Sequence, residues 1–122
     1  MSPPATTVTC MKDEAERERA HAIFDPIAQG YLEREGVDIG AMFGSDGLRI
    51  RGKVFAFVGF AGGLVVKVPQ ARADEIEGSG VAARMEMRGR PAREWVVVPT
   101  SAAQHWAPLT AEAFAYVDEL TP

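Results

Sequence analysis

Residue types able to do chemistry are sparse in this 122-residue chain, and the most suggestive group is Gly44-Ser45-Asp46-Gly47. Two glycines around a hydroxyl and a carboxylate could cradle a phosphate, clamp a nucleic-acid backbone, or turn one strand into the next. A clamp of the Gly-x-x-Gly kind joins two helices and usually carries a basic residue between its glycines. Here Asp46 would repel a phosphate, and the residues that follow, Leu48-Arg49-Ile50-Arg51, alternate apolar and basic as a strand does. The segment is therefore expected to connect strands, with a glycine supplying a positive φ.

Hydrolytic chemistry needs a nucleophile, a base and an orienting acid within reach of one another. Ser45 and Asp46 have only His21 and His105 to call upon; His21 stands four residues before Asp25, and His105 lies near the start of the last helical segment. No Gly-x-Ser-x-Gly elbow is present, since Ser79 lies in Gly-Ser-Gly without the outer spacing. Glu86 and Glu94 fall on adjacent expected strands and could pair as acid and base. Arg84, Arg88, Arg90 and Arg93 surround them, so cross-strand ion pairs explain them better. No catalytic group is expected. Cys10 is the single cysteine and neither histidine stands at metal-ligand spacing from it, so no disulfide, metal site or cofactor is expected either.

Binding chemistry has more material. Arg49, Arg51, Lys67 and Arg88 sit in strand-like segments and could line one sheet face, gripping an anion or an acidic partner. Aromatic residues do not interleave them as in a single-strand nucleic-acid binder, and a solvated, aggregation-resistant face is the plainer explanation. The chain carries a formal net charge of −4, yet nine Lys/Arg face four Asp/Glu between Arg49 and Arg93. Nucleic acid is thus not expected as the main partner. Trp95, Trp106, Phe60 and Met42 are the large apolar residues least tied to a core, and any left exposed would mark a dimer face or a ligand groove.

The elements that must position these groups follow from periodicity. Residues 1–11, rich in Pro and Thr, read as a flexible tail, and residues 12–122 as one domain. Ala20, Ile23, Phe24, Ile27, Ala28, Tyr31 and Leu32 repeat at helical spacing, with Pro26 expected to kink or break the helix and Gly36 to end it. "GLRIRG", "KVFAFVGF" and "GLVVKVP" read as three strands turned at Gly52-Lys53 and at Ala61-Gly62-Gly63. A short helix follows Pro69, with Ala73 and Ile76 inward and Gly78-Ser79-Gly80 stopping it. "ARMEMR" and "EWVVVP" form two more strands around Gly89-Arg90-Pro91. The last helical segment, from about Ser101 to Leu120, has Trp106, Leu109, Ala113, Phe114, Val117 and Leu120 inward; Pro108 kinks or splits it, and Thr110 could cap a second piece.

The resulting order, α-β(3)-α-β(2)-α, is an α+β fold with an antiparallel sheet flanked by helices. Glycine-rich loops lie between strands, which removes dinucleotide and P-loop readings. No apolar run approaches the ~20 residues of a membrane helix, and no signal peptide opens the chain, so a cytoplasmic location is expected and no membrane partner.

"MFGSDGLRIRGKVFAFV", "GGLVVKVP" and "RGRPAREWVVVP" together resemble the N-terminal domain of the TfoX/Sxy family. Met42, Phe43, Gly44, Gly47, Gly52, Lys53, Phe55, Ala56, Lys67, Gly89, Pro91, Trp95 and Pro99 fall at that family's marker positions, with Met42, Phe43, Gly44 and Gly47 forming its marker turn. Ala92 departs from the methionine usual after this proline, and Val81-Ala82-Ala83 lacks a phenylalanine often found there. The resemblance implies the fold shared with type III secretion chaperones and the YjbR/MmcQ group. It implies no established biochemical activity for a single-domain member. The function expected is that of a non-catalytic binding or regulatory module acting through a homodimer or a protein partner, with Arg49, Arg51, Lys67, Arg88, Trp95 and Trp106 as candidate contact residues. The alternative is a small-molecule or anion-binding protein using the basic sheet face.

Overall fold

A computed structural model describes residues 5–42, 45–59, 62–87 and 89–121. Its elements are α1 (Ala5–Leu32), β1 (Val37–Met42), β2 (Ser45–Ile50), β3 (Lys53–Val58), β4 (Leu64–Lys67), α2 (Gln70–Ser79), β5 (Ala83–Met87), β6 (Arg90–Val98), a 3-10 segment (Thr100–His105) and α3 (Trp106–Leu120). The six strands form one sheet in the order β1-β2-β3-β4-β6-β5, and every neighbouring pair is antiparallel. This is the α+β class expected, with one strand more than the three anticipated before α2.

The added strand, "VDIGAM", was invisible because it is an edge. Val37 is buried, but Ile39 is 46% exposed, so the segment shows no alternation that a sequence could reveal. α1 also differs at both ends. It takes in the second half of the stretch read as a tail, Cys10 included, and it ends at Leu32, before Gly36. Pro26 lies inside it and does not end it. Pro26 and Ala22 are both on the exposed face, where water can serve the carbonyl that proline leaves without a donor.

The β2–β3 turn is Arg51-Gly52, one residue earlier than Gly52-Lys53. Ile50 pairs with Lys53, and Arg51 and Gly52 both have positive φ, 48° and 85°. Left-handed backbone at both central positions gives the turn whose twist matches that of the flanking strands. Similarly, Met87 pairs with Arg90, so Arg90 and Pro91 belong to β6 and not to the turn. At the chain's end, Pro108 falls in the first turn of α3, where its missing N–H has no helical acceptor to lose. Thr110 is therefore not a cap; it is fully buried and its hydroxyl donates to the Trp106 carbonyl at 2.7 Å.

One core lies between the sheet and all three helices. Ala20, Phe24 and Ala28 of α1, Ala73 and Ile76 of α2, and Trp106, Leu109, Ala113 and Val117 of α3 close over alternating residues of the inner strands. Those residues are Leu48 and Ile50, Ala56 and Val58, Leu64 and Val66, and Val96 and Val98. Leu48 pairs with Ala56 and Arg49 with Val54, so Phe55 is an extra residue facing β2. This bulge lets Phe55 and Ala56 both join the core. Phe55 then packs edge-on against Tyr31 and Phe114 at centroid distances of 5.7 and 5.4 Å. Leu120 departs from expectation and is 54% exposed.

Candidate binding face

The strand residues that alternate with the core residues build a second face. Cross-strand pairing places Gly47 beside Phe57, Phe57 beside Val65, Val65 beside Val97, and Val97 beside Ala83. The next row holds Lys67 beside Trp95. Phe57 and Val65 are each only 2% exposed, yet neither belongs to the helix-covered core. Every apolar helix residue whose side chain is described as buried belongs to that core. Trp95 meets Phe57 edge-to-face at 5.9 Å between centroids, a geometry favoured by the ring quadrupoles. A half-buried sheet face normally alternates to polar on its open side; this one runs apolar across five strands.

Gly47 has a role different from the turn expected of it. It is a buried strand residue, and its φ is not among the positive ones. A Cβ at this position would lie 3.1 Å from both Phe57 Cβ and Val54 Cγ1, so the missing side chain makes room for the aromatic row. Met42 closes β1 opposite Ser45; Phe43 and Gly44 lie outside the described residues.

The two ends of the row differ in shape. Beyond Val97, residues Val81, Ala82, Ala83 and Pro99 enclose an apolar concavity of about 330 Å³. On the other side the face becomes charged, but not freely basic. Arg49 donates to both carboxylate oxygens of Asp38 at 2.9 and 2.7 Å, and its guanidinium crosses the space a Gly40 side chain would need. Those hydrogen bonds hold the Asp38 carboxyl below its ordinary range. The Lys67 ammonium sits 5.8 Å from the Trp95 ring centroid and 3.9 Å from a Glu94 oxygen. Glu94 in turn accepts the Tyr116 hydroxyl, which pushes the Tyr116 pKa up to about 12, chiefly because the proton shared with Glu94 resists removal.

The candidate residues are thus partly reunited. Arg49, Lys67 and Trp95 share the sheet face that alternates with the core residues. Arg51 is instead turned to the C-terminus of α3, where it bonds Asp118 and Thr121. Trp106 is fully buried in the core with its Nε1–H donating to the Pro99 carbonyl at 3.1 Å, so it is no contact residue. Arg88 lies outside the described residues, as does Phe60. Arg49 and Arg51 are thus taken up in close ion pairs, because a sequence counts cations but does not show which carboxylate each one meets.

The catalytic candidates do not converge. His21 Nδ1 is 3.6 Å from Asp25 one turn along the exposed side of α1. Glu86 is exposed opposite Pro91, while Glu94 turns to Tyr116 and Lys67. Arg84, which surrounds neither, pairs with Asp74 and Glu77 of α2. Among the described residues no group of three or more His, Cys, Asp or Glu is placed to hold a metal ion, and no helix is long and apolar enough to cross a membrane. Sequence reasoning missed Phe57, Val65 and Val97, whose period-two alternation was legible but gave no sign that both faces are apolar.

No protein-family model matches the chain, and no curated protein matches its sequence. The resemblance to the TfoX N-terminal domain rests on the residues quoted for it.

Proposed function

We propose that this protein is a non-catalytic binding module of the TfoX N-terminal type that works as a homodimer, closing the part of its sheet face around Trp95 and Val97 against a second copy. The observation that carries this reading is the half-exposed Trp95 together with the apolar concavity lined by Val97, Ala83 and Pro99 on the same sheet face. Contiguous apolar surface of this kind is a recurrent mark of association. A second copy is the fitting occupant because the same face offers both halves of a contact. Trp95 stands half-exposed at one part of it, and the concavity lined by Val97, Ala83 and Pro99 lies at another. A two-fold contact needs a patch that is complementary to itself. Reading the domain as an enzyme finds no support in convergent acid, base and nucleophile, since His21, Glu86 and Glu94 are apart.

The test is the effect of Val97→Arg on association, followed by sedimentation velocity alongside circular dichroism. Val97 is half-exposed, so the arginine is tolerated by the folded monomer, but two unpaired charges would enter a two-fold interface. A wild-type dimer that becomes a folded monomer in the variant supports the reading. A wild-type monomer throughout the micromolar range overturns it.

A further inference from the structure

Where β4 ends at Lys67, the last turns of α3 border a groove of about 320 Å³. Its walls are Lys53 and Val54 from β3, Lys67 and Trp95 from β4 and β6, and Val117 and Leu120 from α3. The volume is at the small end of ligand sites, which run from about 300 to 1,000 Å³.

Charge and shape select the ligand. Lys53 is exposed and has no carboxylate partner among the described residues. Lys67 has only Glu94, at 3.9 Å, beyond hydrogen-bonding distance; Glu94 spends an oxygen on the Tyr116 hydroxyl instead. Arg51 and Asp118 nearby neutralise each other at 2.7 Å. Among the described residues the groove thus keeps a single unbalanced positive charge, set among Trp95, Val54, Val117 and the 54% exposed Leu120. A polyphosphate fits poorly, because α3 presents its C-terminal, negative end here and the Glu94 and Asp118 carboxylates stand close by. A monoanion with an apolar body meets every wall.

We propose that this groove binds a small organic carboxylate carrying an aryl or alkyl body, its carboxylate held by Lys53 and Lys67 and its body laid on Trp95 and Leu120. The groove shares Trp95 with the association face, but neither Val65 nor Val97 lines it.

The experiment titrates ¹⁵N-labelled protein with 3-phenylpropionate and octanoate, and with their neutral amides, following backbone amides and the Trp95 indole. Saturable shifts confined to the groove are expected, with each amide binding at least about tenfold more weakly than its acid. Lys53→Ala and Lys67→Ala each weaken binding several-fold, and Leu120→Asp, a surface change, removes it while the remaining spectrum is unaltered. Binding persists in Val97→Arg, which separates the groove from the association face. The proposal is overturned by the absence of saturable shifts up to about 10 mM acid, by equal affinity for acid and amide, or by shifts centred on Val65 and Val97.

Discussion

Arg51 joins the β2–β3 turn to the end of the last helix. Its guanidinium donates to the Asp118 carbonyl at 2.9 Å, the Asp118 carboxylate at 2.7 Å and the Thr121 carbonyl at 3.0 Å. The two carbonyls lie at the end of α3, where helical backbone donors run out and only the Thr121 N–H reaches the Asp118 carbonyl, at 3.3 Å; a cation there also suits the helix dipole. Yet Arg51 has φ 48°, a conformation that costs a non-glycine residue about 1 kcal/mol. Two opposing terms therefore meet in one residue. Arg51→Ala keeps the strained backbone and loses the cap, and is expected to cost about 1 kcal/mol in urea denaturation, discounted for partial exposure. Arg51→Gly loses the cap but relieves the backbone, and should lie within about 0.5 kcal/mol of wild type. Equal losses in the two variants would show that the turn conformation carries no strain.

Trp106 and Trp95 separate what the sequence left undivided. Trp106 is fully buried and hydrogen-bonded to Pro99, whereas Trp95 is half-exposed on the open face. Trp106→Ala is expected to cost about 3–5 kcal/mol, and Trp95→Ala much less in the isolated chain. Fluorescence gives an independent check. The single-tryptophan variant Trp95→Phe should emit further to the blue than Trp106→Phe.

Gly47 offers a test of the crowded aromatic row. A Cβ there would meet two side-chain carbons at 3.1 Å, so Gly47→Ala is expected to destabilise by about 1–2 kcal/mol, despite alanine's better strand entropy. A stabilised variant in chemical denaturation would contradict the packing assigned to Gly47.

Tyr116 sets an alkaline limit. Its folded pKa is about 12, above the ordinary tyrosine value near 10. The sign follows from linkage: below pH ~10 the hydroxyl is protonated in both states and the contribution is complete. Between about 10 and 12 the unfolded chain releases its proton first, and stability falls as pH rises. Tyr116→Phe should flatten this part of the profile and cost about 1 kcal/mol at neutral pH, through the lost bond to Glu94. An unchanged alkaline slope in the variant would place the titration elsewhere.

Much of the fold was legible because burial imposes periods. The α2 positions Ala73 and Ile76, the strands around Val54–Val58 and Val96–Val98, and the α3 face of Leu109, Ala113 and Val117 are where alternation and helical spacing put them. The edge strand β1 was not, since only one of its sides meets the core and Gly40 and Asp38 are atypical of strands. The binding face was legible in part. Lys67 and Trp95 could be nominated as exposed, but their register, one directly opposite the other, depends on pairing that composition does not encode. Arg51 was misassigned for the same reason: its partner, Asp118, lies at the far end of the chain. Leu120 follows the helical stripe faithfully, but it lies at the end of α3, where the stripe has run past the sheet.

The most direct measurement for the association of the sheet faces is sedimentation velocity of the wild type and Val97→Arg over the micromolar range. The account expects a wild-type dimer and a folded monomer for the variant, with affinity weakened at least roughly a hundredfold. A monomeric wild type, or a variant that dimerises as the wild type does, would contradict it.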